Sequence, residues 1–294
     1  MDFGGTNVKT GIFSEEGKTL LFNEQKLSKF TENGNLLSNL INHAKQVSEG
    51  FSLSQGGLAI KGLINTETGV LEDDIGAGSL LSGINLKQAF GDALHILFKV
   101  ENDARAYAWG EYKFGAGRGS SAMVCMTLGT GLGCSLVVDE KPYQGSDALG
   151  GLLGGHISID KDGPECPCGN KGCLELYCSA TAFTETVKKT FPEFNKAENV
   201  LENYFAALEK NESKYINLLY EFQENLSIGI VNVIHAYGPD VVVLGGGAMN
   251  SEKIILPGLI ELVHKRAWTF PRKKVKIKSS ELGNKAAAIG VAFL

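Results

Sequence analysis

The chain has 294 residues, of which 43% are hydrophobic and 21% are charged, a composition typical of a globular protein with about two domains. Its formal net charge of −5 argues against the basic surface that nucleic-acid binding requires. The sequence contains no apolar run of the roughly 18 residues that a membrane span needs, and no export leader. We therefore expect a cytoplasmic protein with neither a nucleic-acid nor a membrane partner.

The first part of the chain alternates strand-like runs with helical patterns. It opens on DFGGTNVKTGIF, a glycine turn followed by an alternating strand pattern. The strand leading into this turn is mostly missing because Asp2 follows Met1, and a start site assigned too far downstream is one explanation, which the intact mass of the native protein tests. The other predicted elements are strands over 19–26, 57–60 and 96–101, a helix over 35–47 with Asn35 as N-cap, and a helix over 104–114 closed by Gly115.

The second part begins with another glycine turn, in which GTGLG joins the strands SAMVCMTL and CSLVVD. Helices are predicted over 182–190, 198–210 and 215–237, the last ending at Gly238-Pro239. A buried strand over 241–244 leads into Gly245-Gly246-Gly247, and the tail 283–294 is apolar and helix-prone. Strands alternating with helices indicate an α/β fold, in which ligands collect at the carboxyl ends of the strands.

A loop rich in glycine and proline carries a metal-ligand pattern. HISIDKDGPECPCGNKGCLE supplies one imidazole and three thiols, from His156, Cys166, Cys168 and Cys173. Zn²⁺ binds such a set tetrahedrally, and four protein ligands leave no position for water, so the predicted site is structural. The alternative, four scattered residues, fits poorly because this loop has the wrong composition for a core. The metal would fix the geometry of His156 and of the following Glu175.

Three glycine clusters adjoin strands, where backbone N–H groups can approach an anion without an intervening Cβ. The Walker A pattern fails because Val8 precedes Lys9-Thr10. The Rossmann pattern fails because Cys134 stands where its third glycine belongs and a strand follows. Each cluster alone could be a tight turn, but three beside strands favour phosphate binding.

These motifs, in this order, resemble the ROK family (repressor, open reading frame, kinase) of the hexokinase/actin-like superfamily. DFGGTNVK resembles its first phosphate loop, LGTGLG the second, PDVVVLGGG the adenosine-side motif and ENDARAYAWGE the catalytic segment. The thiol loop ending in GNKGCLE resembles the family's zinc signature. The resemblance covers essentially the whole chain.

The resemblance implies an α/β fold of two actin-like (ribonuclease H-like) domains with a central cleft and a structural zinc loop. The first domain would span 1–104, completed by a C-terminal helix over 284–294. The second would span 105–283 and contain the zinc loop 156–175. Family members are commonly homodimers, although no sequence feature assigns an interface.

The resemblance also implies ATP-dependent phosphorylation of a hexose or hexose derivative, usually at the 6-hydroxyl, with Mg²⁺ as well as Zn²⁺. Asp103 would be the general base and Asn102 would position the sugar. Phosphoryl transfer depends mainly on positioning and charge neutralisation, which a carboxylate at a strand end suits. The alternative role for Asp103 is the N-cap of the helix that begins at Ala104.

The remaining implied contacts are also carried over from the family. Asp2 would lie near Mg²⁺, and the phosphates would contact Gly4, Gly5, Thr6, Lys9, Gly129, Thr130 and Gly131. Gly246 and Gly247 would face the adenosine. The sugar would contact Gly62, Asn102, His156 and Glu175, while His156 also ligates zinc.

Two substitutions separate this chain from most family kinases. Leu153 stands where a glutamate usually bonds the sugar, and Lys61 precedes Gly62 where proline is common. An aliphatic group cannot accept a hydroxyl hydrogen bond, and an unsatisfied buried hydroxyl costs about 1–3 kcal/mol. These changes argue against ordinary glucokinase specificity.

Two alternatives to a kinase are considered. A sugar-responsive transcription regulator is disfavoured because family regulators carry an N-terminal helix-turn-helix, whereas this chain begins within the phosphate loop. A sugar- or nucleotide-binding protein without turnover is favoured by Leu153 and the short first strand. Retention of Asp103 argues against it, because a pure binder gains nothing from a general base.

Overall fold

The computed structural model describes residues 1–32, 34–73, 77–145, 154–210, 212–270 and 274–294. The strands are β1 Asp2–Phe3, β2 Asn7–Phe13, β3 Thr19–Lys26, β4 Gln55–Ile60, β5 Leu63–Asn65, β6 Val70–Asp73, β7 Leu97–Asn102, β8 Ala122–Leu128, β9 Leu132–Val138, β10 Lys141–Pro142, β11 Val241–Gly245 and β12 Lys276–Ser279. The α-helices are α1 Ser28–Thr31, α2 Leu36–Ser48, α3 Leu86–Leu94, α4 Asp103–Phe114, α5 Glu175–Cys178, α6 Ala180–Thr190, α7 Val200–Glu209, α8 Ile216–Tyr237, α9 Glu252–Arg266 and α10 Ala286–Ala292. Short 3₁₀ helices span Ala77–Leu81, Pro192–Phe194, Ser213–Tyr215, Gly247–Ser251 and Gly283–Lys285.

Among the helices in these ranges, none combines the length and apolar character that a membrane span requires. The chain divides into two compact units, the first formed by 1–118, 140–152 and 281–294 and the second by 119–139 and 153–280. The first unit includes α4, which packs against α10 of the same unit. The domain boundary after residue 104 that the resemblance implies stays a prediction.

The sheet of the first unit has the strand order β3-β2-β1-β4-β7. Strands β1, β4 and β7 run parallel, with Phe3 beside Ile60 and Ile60 beside Asn102. Leu58 and Ile60 join the core under α2 and α3, whereas the intervening Ala59 contacts α4 and α10, so β4 is covered on both faces. Because parallel strands end at one edge, the segments that follow β1, β4 and β7 emerge together there.

Within the second unit, the described strands β9, β8, β11 and β12 follow one another in the sheet. The pair β8–β9 is antiparallel, whereas β8–β11 and β11–β12 are parallel. The side chains of Phe183 on α6 and of Phe222 and Leu226 on α8 form the core with the apolar residues of β8 and β11. Helix α8 is followed by the C-cap residue Gly238, whose positive φ of 56° is the left-handed geometry that glycine favours.

Most predicted elements are confirmed, and the differences have local causes. Asn35 occupies the N-cap position of α2, but its side chain makes no capping hydrogen bond. Strand β9 begins at Leu132, so the second glycine turn is shorter than GTGLG. Helices α3 and α9 and strand β12 were not predicted from the sequence, and α9 contains Pro257, which usually signals the end of a helix.

Helices α4 and α10 cross at very short distance because both carry glycine where they meet. A Cβ on Gly290 would overlap the carbonyl oxygen of Ala106, and one on Gly110 would overlap that of Ala286. Small residues at both positions allow the backbones to touch. This crossing anchors the C-terminal helix to the first unit.

We expect Gly290→Ala to lower the free energy of unfolding by about 1–3 kcal/mol, because overpacking of a tight contact costs that much. Helix propensity alone would change stability in the opposite direction. Denaturant unfolding measures the effect. Gly91→Ala in α3 is the matched control, since its Cβ would meet the nearest atom, the oxygen of Ile96, at 3.3 Å. Equal stability of the Gly290→Ala protein and the wild type would contradict this account of the crossing.

The buried carboxylate of Glu111 joins the end of α4 to the segment before α10. It is fully buried and accepts hydrogen bonds from the backbone N–H groups of Ala116 at 2.8 Å, Glu281 at 3.1 Å and Leu282 at 2.8 Å. Three donors converge on one side chain, so its loss would leave one buried and two partly buried N–H groups without this acceptor.

Glu111→Gln keeps the size of the side chain but turns an NH₂ group toward these donors. We expect it to lower the free energy of unfolding by about 1–3 kcal/mol. Glu281→Gln, which affects only an exposed ion pair with Arg118, should change stability by less than about 1 kcal/mol. Thermal or denaturant unfolding of both variants checks the difference, and two equally small effects would refute it.

Candidate functional site

The first glycine cluster forms the loop between β1 and β2. The N–H group of Gly4 donates to the carbonyl of Asn7 at 3.0 Å, while Gly5 and Thr6 are exposed. A Cβ on Gly5 would meet nothing within 4 Å, so local packing does not require glycine there. The bare backbone at this position instead suits close approach by a ligand.

Asp2 lies directly before this loop, opposite Lys9 on β2. The Lys9 Nζ atom is 3.4 Å from Asp2 Oδ2. Burial raises the pKa of Asp2, and the neighbouring Lys9 ammonium opposes that rise. A buried carboxylate beside an exposed glycine loop is a suitable outer ligand for a hydrated Mg²⁺ ion.

At the same sheet edge, β7 passes directly into α4, and Asn102 is the N-cap. Its Oδ1 accepts hydrogen bonds from the backbone N–H groups of Ala104 at 3.0 Å and Arg105 at 3.2 Å. The alternative reading of Asp103 as the cap is therefore wrong. Asp103 is the first helical residue and is half-buried, and its Oδ1 lies 2.8 Å from the Ala104 backbone nitrogen.

Gly62 connects this helix cap to the loop after β4. The Nδ2 group of Asn102 donates to the Gly62 carbonyl at 3.2 Å. Gly62 has a φ of 113°, which L side chains rarely adopt, so the turn requires glycine. The structure thus brings Gly62 and Asn102 into contact, with Asp103 next in the chain.

In the second unit, the second glycine cluster forms the turn between β8 and β9. The N–H group of Gly129 donates to the Gly131 carbonyl at 3.0 Å, and Thr130 between them is exposed. Glu175 Oε2 accepts the backbone N–H of Leu132 at 2.7 Å. A Cβ on Gly131 would lie 2.5 Å from the same oxygen, so glycine is needed for Glu175 to reach the turn.

The third glycine cluster lies beside this turn. Gly246 follows β11 with a φ of 88°, and a Cβ there would lie 2.5 Å from the Leu128 carbonyl oxygen. Gly247 opens a 3₁₀ helix, and its Cβ position is open. Because β8 and β11 are parallel, the two glycine clusters emerge at one edge of the second unit's sheet.

The thiol loop folds so that the four predicted ligands meet. The ligand atoms of His156, Cys166, Cys168 and Cys173 all lie within 4.8 Å of one another. Nδ1 of His156 is 3.5 Å from Cys166 Sγ, and Cys168 Sγ is 3.7 Å from Cys173 Sγ. Nδ1 therefore faces the sulfur atoms, and Nε2 is left for another partner.

The donor set fits Zn²⁺, which prefers four thiolate and imidazole ligands in a tetrahedron. A backbone hydrogen bond at Asn170 lowers the pKa of Cys168, whereas burial raises that of Cys173 to about 12. Thiols bind zinc as thiolates, so binding would displace their protons. The loop also contacts the glycine turn, because Gly155 N–H donates to the Leu132 carbonyl and Glu175 N–H to the Gly155 carbonyl, each at 2.8 Å.

Sequence reasoning missed residues that support the predicted ones. Glu101 and Arg105 form a buried ion pair beneath Asn102, and Gln144 bonds the same glutamate. The sequence signal that could have revealed the ion pair was the i, i+4 spacing of opposite charges at the end of β7. No sequence signal points to Gln144. Leu153, singled out in the sequence, lies outside the described residues.

The match to the ROK family model extends over residues 1–294, and the chain belongs to this family. Glucokinase of Thermotoga maritima is 28% identical over 285 residues, covering 90% of this chain and 86% of its own length. The xylose repressor of Bacillus subtilis is 25% identical over 291 residues, covering 98% of this chain and 72% of the repressor.

A solved ROK family glucokinase from Streptomyces griseus, in complex with glucose and AMPPNP, superimposes with a TM-score of 0.84. The two sequences are 24% identical, and the alignment covers 99% of this chain and 96% of that one. This likeness confirms the expected α/β fold of the ROK proteins. Sugar kinases and sugar-named repressors both occur among the relatives.

We expect the purified protein to carry about one zinc ion per chain, measured by elemental analysis after dialysis. Cys168→Ser should lose most of this zinc, because the substitution removes one of the four ligands. Cys134→Ala is the matched control, since that buried thiol lies outside the cluster and should leave the metal content unchanged. Wild-type zinc in the Cys168→Ser protein would show that the cluster is not the metal site.

Proposed function

We propose that this protein phosphorylates a hexose or hexose derivative at its 6-hydroxyl with ATP, with Asp103 as general base. The observation that carries the proposal is the division of roles at the start of α4. Asn102 is the N-cap, and Asp103 follows it as a half-buried residue at the first position of α4, where its Oδ1 accepts the Ala104 N–H group. A base must reach the hydroxyl proton, and a carboxylate that is partly open to solvent at the start of a helix can do so.

In the proposed reaction, Asp103 accepts the proton of the sugar hydroxyl while the hydroxyl oxygen bonds to the γ-phosphorus of ATP. The bond between that phosphorus and the β,γ-bridging oxygen breaks, and ADP leaves. Asn102 and the Gly62 backbone orient the sugar. Mg²⁺ would neutralise phosphate charge when bound, and Asp2, next to Lys9, would hold its water shell.

The glycine-lined loops would bind the nucleotide through backbone N–H groups. Gly4, Gly5 and Thr6 in the first unit and Gly129, Thr130 and Gly131 in the second would contact the phosphates, with Lys9 contributing a positive charge. Gly246 and Gly247 would face the adenosine. The support is that Gly5, Thr6, Thr130 and Gly247 are exposed and that a Cβ on Gly5 or Gly247 would meet nothing within 4 Å, so a ligand can approach the backbone there.

His156 and Glu175 would bind sugar hydroxyls. The geometry supports this for His156, because its Nδ1 atom faces the thiols and its Nε2 atom would then be available to a sugar hydroxyl. Zinc would have a structural role, holding the loop from which both side chains project. Loss of zinc from the Cys168→Ser protein should therefore reduce sugar phosphorylation as well.

The second candidate is a sugar-binding regulator or binding protein without turnover. The observation in its favour is the xylose repressor of Bacillus subtilis, which aligns with 98% of this chain at an identity close to that of the Thermotoga maritima glucokinase. The kinase is preferred because Asn102, Asp103 and three glycine clusters are present, and a protein that only binds sugar gains nothing from a general base.

Turnover is tested by a coupled ATP assay across glucose, N-acetylmannosamine, N-acetylglucosamine, fructose, allose and β-glucosides. We expect at least one sugar to be phosphorylated, and Asp103→Asn to lower kcat by about 10²–10⁴-fold, since a general base contributes that much. Asparagine keeps an oxygen for the Ala104 N–H group, so folding should be retained.

Asp92→Asn, an exposed aspartate on α3, is the control and should retain wild-type kcat. An active Asp103→Asn protein would exclude the assigned base. Tight sugar binding by the wild type with no product from any sugar would favour the second candidate.

A further inference from the structure

Glu101 and Arg105 form an ion pair directly below the proposed catalytic segment. The Nε atom of Arg105 lies 2.7 Å from Glu101 Oε1, and each residue is 1% exposed. A buried ion pair is not an efficient source of stability, because removing two charges from water costs about as much as their attraction returns. Its position next to Asn102 and Asp103 calls for another explanation.

Both oxygens of Glu101 are engaged with groups that shape the strand-to-helix junction. Oε1 accepts the backbone N–H of Asn102 at 2.7 Å as well as the Arg105 side chain. Oε2 accepts the Nε2 group of Gln144 at 2.8 Å. The carboxylate therefore bonds Asn102, which precedes Asp103, and Arg105, which follows it in α4. It also bonds Gln144, which is distant in sequence.

These bonds close a circuit around Asp103. Glu101 binds Asn102 N–H, the Asn102 side chain accepts the Arg105 N–H at 3.2 Å, and the Arg105 side chain returns to Glu101. Asp103 lies between these residues in the sequence, and its Oδ1 accepts the Ala104 N–H group at 2.8 Å. Its backbone direction is consequently set by its neighbours.

We propose that Glu101 and Arg105 are positioning residues for the phosphoryl transfer, and that Gln144 extends their network. The inference rests on the proposed function. The circuit fixes where the strand ends and the helix begins, and thus where the Asp103 carboxylate points. A misplacement of a reacting group by about 1 Å can lower the rate 10²-fold, so such a brace affects kcat more than ATP binding.

Single substitutions would leave an unpaired buried charge, so the test uses paired variants. Glu101→Leu/Arg105→Met removes both charges and the acceptor of the Asn102 N–H group. Glu101→Gln/Arg105→Met also removes both charges but keeps an amide oxygen for that N–H group. Thermal unfolding and steady-state kinetics are measured for both, with the sugar that the wild type phosphorylates.

Glu101→Gln/Arg105→Met should unfold close to the wild-type temperature, since replacement of a buried ion pair is often neutral. Glu101→Leu/Arg105→Met should fold but unfold at a lower temperature, because the Asn102 N–H group loses its acceptor. We expect Glu101→Leu/Arg105→Met to lower kcat about 10- to 100-fold with an unchanged KM for ATP. Glu101→Gln/Arg105→Met should lose less. A folded Glu101→Leu/Arg105→Met protein with wild-type kcat would overturn the proposal, because the pair would then be merely structural.

Gln144→Leu decides the matter if the double variants fail to fold, because Gln144 is half-buried and only its side-chain bonds are lost. We expect its kcat to fall by about threefold or more, with melting temperature and ATP KM retained. Thr66→Val, which removes only a long 3.5 Å bond to Gln144, is the control. Unchanged kcat in Gln144→Leu would overturn the proposal. A wild type without turnover would instead refute the proposed function.

Discussion

The junction between β7 and α4 depends on side chains that satisfy the backbone where the chain changes from strand to helix. A helix begins with N–H groups that lack an internal partner, and here Asn102 accepts two of them while Glu101 accepts the N–H group of Asn102. Asp103 is placed on the first turn by these bonds. The loop after β4 is tied to the same point through the Gly62 carbonyl. The positions of the proposed base and of the loop after β4 thus follow from one set of hydrogen bonds.

In the second unit, Glu175 likewise satisfies a backbone N–H group at a change of chain direction. It follows the thiol loop, and its carboxylate bonds the backbone at the end of the glycine turn between β8 and β9. A metal held by His156 and the three cysteines would order the loop, and the order would pass to the turn through the Glu175 carboxylate and through the hydrogen bond from Gly155 N–H to the Leu132 carbonyl. In the proposed kinase, such a metal would influence nucleotide and sugar binding without touching either substrate.

Much of this organisation could be predicted from the sequence. Strand β3 and helix α8 have clear periodicity, and their predicted limits agree closely with the structure. Helix α9 was missed because Pro257 interrupts its pattern. The motif residues were found through a family resemblance, whereas their supports depend on distant contacts. Gln144 lies 43 residues from Glu101, and Glu111 bonds residues 170 and 171 positions away, which no local pattern reveals.

The central claim is that the Asp103 carboxylate removes a proton from a sugar hydroxyl. A crystal structure with the sugar that the wild type phosphorylates and a non-hydrolysable ATP analogue tests it most directly. The account predicts a carboxylate oxygen of Asp103 about 2.6–3.2 Å from the 6-hydroxyl, with that hydroxyl in line with the γ-phosphorus. A complex in which both ligands are bound and Asp103 contacts no hydroxyl would contradict it.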